Sequence, residues 1–182
     1  MPALQDFASV LADQIGKEHA AMFLDHVSLQ ELPRGEVLLR DQASVSALYL
    51  LIEGRVGLSV EVAGHAIHLG TMDAGNWIGE VAYFSGSHIS CSTVTAETDV
   101  RLMRLGFAEF GAIARATPEA ACRLTHVLVT MLIHRLRATV HNPVVDADGQ
   151  LFMLGNLSLP SPARAAHERG VIDFFRKLLG TH

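Results

Sequence analysis

The chain has 182 residues, 49% of them hydrophobic and 18% charged, with a formal charge of −5. That length buries a core of ordinary domain size, the apolar content excludes a disordered chain, and the negative balance excludes a general electrostatic attraction to nucleic acid. The longer apolar stretches, such as 127–133, fall short of the ~18 residues of a membrane helix, and the opening Met1-Pro2-Ala3-Leu4-Gln5-Asp6 reads as no secretory signal. Cys91 and Cys122 are too few for a disulfide framework, so a cytoplasmic location is expected.

In chain order, Phe7, Val10, Leu11, Ile15, Ala21, Met22, Leu24 and Val27 recur at helical spacing and Gly16 interrupts them, which predicts two short helices ending near Val27. From Leu29 to Leu105 the texture changes to short apolar segments punctuated by glycine. Residues 37–39, 47–52, 56–60, 66–69, 77–78, 93–96 and 100–105 are predicted strands. Val56, Leu58 and Val60 alternate with polar neighbours, and Ala63-Gly64 suits a hairpin turn with the next strand opening at His65. Short strands with regular turns predict a mainly β fold, an antiparallel sandwich or jelly roll with flanking helices.

Residues 107–116 read as a short helix, and Thr117-Pro118 as the N-cap and first residue of a long helix, 118–140. Ala121, Leu124, Val127, Leu128, Met131, Leu132, Ile133 and Leu136 make its apolar stripe too broad for one small barrel, so a partner helix from a homodimer is expected. His126 and His134 are expected to border that seam. After Asn142-Pro143, Val144-Val145 and 151–154 flank Asp146-Ala147-Asp148-Gly149 and predict a hairpin; Ser161-Pro162 opens a last helix carrying Val171, Ile172, Phe174, Phe175, Leu178 and Leu179.

The informative segment runs Gly75-Asn76-Trp77-Ile78-Gly79-Glu80-Val81-Ala82-Tyr83-Phe84-Ser85-Gly86, then Ser90-Cys91-Ser92-Thr93-Val94-Thr95-Ala96. It resembles the cassette of cyclic nucleotide-binding domains, in particular the sensor domain of Crp–Fnr-type bacterial regulators. Further matches are Leu32-Pro33-Arg34-Gly35-Glu36-Val37-Leu38, Tyr49-Leu50-Leu51-Ile52-Glu53-Gly54-Arg55-Val56, Leu69-Gly70 and the stretch 99–110, so the resemblance covers residues 6–140. It implies a double-stranded β-helix, with a short helix opened by Gly79-Glu80 whose backbone amides face a cyclic phosphate while Glu80 accepts a bond from a ribose hydroxyl. A helix N-terminus suits an anion because its N–H groups point outward along a favourable dipole.

In nucleotide-binding members of the family an arginine before the Val-x-Ala strand neutralises the phosphate. Ser90 stands there in this chain, followed by Cys91 and Ser92. A serine donates one neutral bond and balances no charge, so weak binding of cyclic AMP is expected. The candidate ligand-binding residues are therefore Gly79, Glu80, Val81, Ala82, Ser90, Cys91 and Ser92, with His88 as a cation when protonated. Cys91 is expected to be a small core residue.

The resemblance implies a non-enzymatic regulatory protein of signal transduction in which a sensor, here residues 1–140, acts through the long helix on an output domain; residues 141–182 depart from it and are expected to form an extension without a helix-turn-helix. The expected partners are a second copy and an unidentified protein, with no direct DNA binding and no membrane span. No cofactor is expected beyond a nucleotide-like ligand. A ligand-free dimerisation scaffold is the alternative, favoured by Ser90. A cupin-like metal enzyme is a distant third, because His65 and His68 are spaced to point to opposite faces of a strand.

Overall fold

Gly16 divides the first helical run, leaving α1 at Pro2–Ile15 and α2 at Lys17–Ala21. The computed structural model describes the backbone of residues 2–62, 64–141, 144–145 and 151–152, and the side chains of 8–62 and 64–137. A 3-10 turn, Leu24–His26, leads into β1 (Val27–Leu32), which lies outside the predicted strands. There follow β2 (Val37–Leu39), β3 (Ala47–Glu53), β4 (Arg55–Val62), β5 (His65–Asp73), β6 (Trp77–Ile78), α3 (Glu80–Phe84), β7 (Thr93–Ala96) and β8 (Val100–Gly106). Two helices close this unit, α4 (Phe107–Ala116) and α5 (Pro118–His141).

The strands form two four-stranded antiparallel sheets, ordered β1-β8-β3-β6 and β2-β7-β4-β5. β3 explains the layering. Its residues from Ala47 to Ile52 are nearly all buried because both of its faces are covered. Leu48, Leu50 and Ile52 pack with Trp77, Met103 and Leu105 against the helices, where they meet Leu11, Ile15, Phe23, Phe110, Ile113, Leu124 and Leu128. Leu51, on the opposite face, joins Leu32, Ile78, Val100 and Leu102 against Val56, Val94 and Ala96 of the other sheet. Each fully buried side chain of this size contributes about 1.5–3 kcal/mol.

The apolar residues of α5 divide between two directions. Ala121, Leu124 and Leu128 are buried, with Val127 and Met131 packed against the same cluster, whereas Ile133 and Leu136 are 41% and 53% exposed. Thr117 does not serve as the predicted side-chain cap of α5; its hydroxyl donates to the Ile113 carbonyl 3.2 Å away and closes α4. The chain divides into two compact units, residues 1–137 and 138–182. In the second, β9 (Val144–Val145) pairs antiparallel with β10 (Leu151–Phe152), Leu151 opposite Val145. The helix predicted after Ser161-Pro162 lies outside the described residues.

Candidate functional site

The β6–α3 segment is fixed from three sides. Trp77 is fully buried and its indole N–H donates to Gln14 Oε1 of α1 at 2.8 Å, while Gln14 Nε2 donates to the Gly75 carbonyl at 2.7 Å. On its other edge the Leu51 N–H of β3 donates to Asn76 O, and the Gly75 N–H to Leu51 O. Gly79 then turns the chain into α3 at φ +93, in the left-handed region, and a Cβ there would lie 2.6 Å from the Ala47 carbonyl oxygen. Backbone conformation and close approach to β3 both require glycine at this point.

Glu80 follows at the first position of α3 with only 3% of its surface exposed. Its carboxylate accepts a hydrogen bond from Arg135 of α5. The other terminal nitrogen of the same guanidinium donates to Trp77 O at 2.6 Å and to Asn76 Oδ1 at 3.4 Å. Burial pushes the Glu80 carboxyl above the ordinary carboxylate range, and the Arg135 charge, the backbone N–H of Glu80 and the Arg135 hydrogen bond draw it back. Ala82 is buried behind Glu80, while Val81 and Phe84 face outward.

The Ser90–Ser92 half is braced by the segment ahead of β3. Ser90 N–H donates to Ala43 O at 2.9 Å, Gln42 N–H to Ser90 O at 3.0 Å, and Val45 N–H to His88 O at 2.8 Å. Ser90 is buried, and its hydroxyl donates to the Ser92 carbonyl at 2.7 Å. Cys91 is exposed and not the core residue expected of it, because the two-residue alternation of the coming strand already holds here: Ser90 and Ser92 turn inward and Cys91 outward. Burial around the sulfur nevertheless pushes the thiol up, aided by the Glu80 charge. His88, at φ +53, sets its ring against Phe107 with centroids 5.1 Å apart.

The structure thus sets Gly79 against the start of β3 and the Ser90 segment against residues 42–45 just ahead of it, with Ala82 and Glu80 buried and Val81 on the outside. Sequence reasoning missed Arg135 and its acceptors on Asn76 and Trp77. A signal was there: Arg135 continues the core-facing series Leu124, Leu128 and Met131 by one further turn, and an arginine on an apolar stripe demands a buried acceptor. His126 borders an open groove with Gln14, Asn76 and Thr130. Among the described residues no three His, Cys, Asp or Glu side chains converge as a metal site.

Residues 29–117 match the family model of the cyclic nucleotide-binding domain. That segment belongs to this family. Among curated proteins, the cyclic nucleotide-binding domain is similar to a cyclic nucleotide-gated potassium channel of Rhizobium etli, 36% identical over 90 residues, which covers 50% of this chain and 24% of the channel. The chain is also similar to the cAMP-activated global transcriptional regulator CRP of Haemophilus influenzae, 25% identical over 161 residues, covering 87% of this chain and 71% of the regulator. The chain therefore spans about a quarter of the channel's length.

A solved cyclic nucleotide-binding domain from Methylobacillus flagellatus superposes with a TM-score of 0.66 over 79% of this chain and 86% of its own, at 14% identity. The cyclic nucleotide-binding domain of this chain has that jelly-roll fold, with flanking helices and a helix after the sheets. The matched curated proteins are regulators and channels. No helix among the described residues is long and apolar enough to cross a membrane.

Proposed function

We propose that the domain is a non-enzymatic sensing module. Its cassette takes a small ligand with ribose-like hydroxyls on Glu80, and α5 passes the occupied state to a second copy and to a protein partner. The observation that carries this reading is the Glu80 carboxylate, buried inside the cassette directly after a glycine whose added Cβ would lie 2.6 Å from the Ala47 carbonyl oxygen. A buried carboxylate is expensive to maintain, and an apolar residue at the same place would spare the domain that cost. The nucleotide class is supported by the relatives, one nucleotide-gated and one cAMP-activated.

The phosphate position is neutral in this chain. Ser90 spends its hydroxyl hydrogen on Ser92 O and brings no charge to a ligand. A charge-assisted bond contributes about 1.5–3 kcal/mol, so its loss weakens a cyclic monophosphate by about one to two powers of ten. A second reading, a scaffold that binds no ligand, is favoured by one observation: Arg135 already satisfies Glu80.

Native mass spectrometry of the purified protein, with extraction of any small molecule that accompanies it, separates the two. The sensing reading expects a sugar-phosphate compound to co-purify, or thermal stabilisation by at least one member of a panel of cyclic mono- and dinucleotides. A protein free of any small molecule and unmoved by the whole panel is the result for the scaffold.

A further inference from the structure

Arg135 carries the polar contact between α5 and the start of α3. Arg135 sends one nitrogen to the Glu80 carboxylate and the other to Trp77 O and Asn76 Oδ1, so a single guanidinium ties α5 to three residues of the β6–α3 segment. The apolar attachment of α5 ends one turn earlier. Among the described residues Met131 is the last on the helix packed against the core, and beyond it Ile133 and Leu136 stand exposed. Leu124 and Leu128 are fully buried, which fixes the first half of the helix whatever happens at Arg135.

The carboxylate that holds Arg135 is the same group that the sensing reading assigns to a ligand hydroxyl. Glu80 is 3% exposed, so a newcomer cannot bond to it from the solvent side while the guanidinium stays in place. We propose that Arg135 is an autoinhibitory latch: its guanidinium occupies the ligand's position on Glu80 and clamps the second half of α5, and a ligand must displace it to bind. This rests on the sensing reading for the identity of the competitor, but the clamp itself does not. Occupancy of the cassette and release of the helix are then one event, because both draw on the same carboxylate.

The latch taxes affinity. Where a closed state outweighs the open one, the apparent dissociation constant rises by the inverse of the open fraction, and removing the closing contact recovers that factor. A latch that is closed about nine times in ten lowers affinity about tenfold.

The test has a ligand-free and a ligand-bound readout. Hydrogen exchange of the α5 backbone is measured on the full chain for the native protein, Glu80→Gln, Arg135→Ala and the double variant. The Glu80→Gln change lies 55 residues from Arg135, so an effect on α5 reports the contact and not the helix propensity of a substituted residue. The latch predicts faster exchange after Met131 in both single variants and no further gain in the double. Unchanged α5 exchange in Glu80→Gln overturns it.

Cyclic AMP titrated calorimetrically into Arg135→Ala should bind about tenfold more tightly than into the native protein. Weaker binding by Arg135→Ala makes Arg135 a ligand contact and overturns the competition. Should α5 loosen in both single variants while Arg135→Ala binds no nucleotide of the panel, the nucleotide reading fails and the clamp stands.

Discussion

Arg135 near the end of the described part of α5 donates a hydrogen bond to the buried carboxylate of Glu80 at the start of α3, across 55 residues of chain. The pair joins the one titratable group buried within the cassette to the helix that follows the sheets. Its two members differ in exposure, Glu80 at 3% and Arg135 at 26%, so loss of the arginine strands a charge that water cannot reach.

Arg135→Ala is therefore expected to destabilise the domain by about 3 kcal/mol at neutral pH, the lower end for a broken buried pair because the arginine is partly solvated. The deficit should depend on pH. Burial already raises Glu80 above its unfolded value of about 4.3, so the carboxyl contributes stability that is present below that value and lost as pH rises through its folded pKa. Removing Arg135 takes away a charge that lowers that pKa, which widens the window. Urea denaturation at pH 5 and pH 7 should show the smaller deficit at pH 5; an equal deficit at both would contradict the assignment of the burial penalty to Glu80.

Gly79 and Gly64 both have positive φ, at +93 and +82, but differ in surroundings. An added Cβ at Gly79 meets the Ala47 carbonyl, whereas at Gly64 nothing lies within 4 Å. Gly64→Ala should cost about 1 kcal/mol from backbone strain alone, and Gly79→Ala more than about 2 kcal/mol, because β3 must also shift. Denaturation midpoints of the two variants check this ordering. Equal costs would mean that the close approach to Ala47 is unimportant.

On α5, Cys122, Thr125, Val129, Leu132 and Leu136 are spaced alternately by three and four residues, on a side distinct from the buried Leu124 and Leu128. That is the spacing of a two-helix seam, and a second copy is the occupant proposed for it. Leu136→Glu places a charge on the exposed stripe without touching the core. Sedimentation should then report a monomer of unchanged secondary structure. Met131→Glu is the poorer variant for this purpose, since Met131 packs against the core cluster. A Leu136→Glu protein that still sediments as a dimer places the seam elsewhere.

The layout was legible where a local pattern and its environment agree. The run Leu48–Ile52 reads as a strand because both faces are covered, and the apolar stripe of α5 reads as a helix because it repeats over several turns. β1 was not legible: it pairs only with β8 at the sheet edge, and Leu29 is exposed, so Val27, Leu29 and Leu32 form no clean alternation. In the site, Gly79 and Glu80 were carried by motif. The outward turn of Cys91 follows from the alternation of β7 beginning two residues before the strand, with the Ser90 hydroxyl donating inward to Ser92 O, and the Arg135 contact depends on how α5 lies over the sheet, which local periodicity does not encode.

Titration calorimetry of cyclic AMP into the native protein and into Ser90→Arg measures what a sensing cassette loses when its phosphate position carries no charge. Ser90 is buried with its hydroxyl on Ser92 O, so the native protein should bind weakly or undetectably. Affinity should rise by about tenfold or more when an arginine restores the charge-assisted bond. A native dissociation constant below about 1 μM, or no gain in a folded Ser90→Arg protein, would contradict this reading.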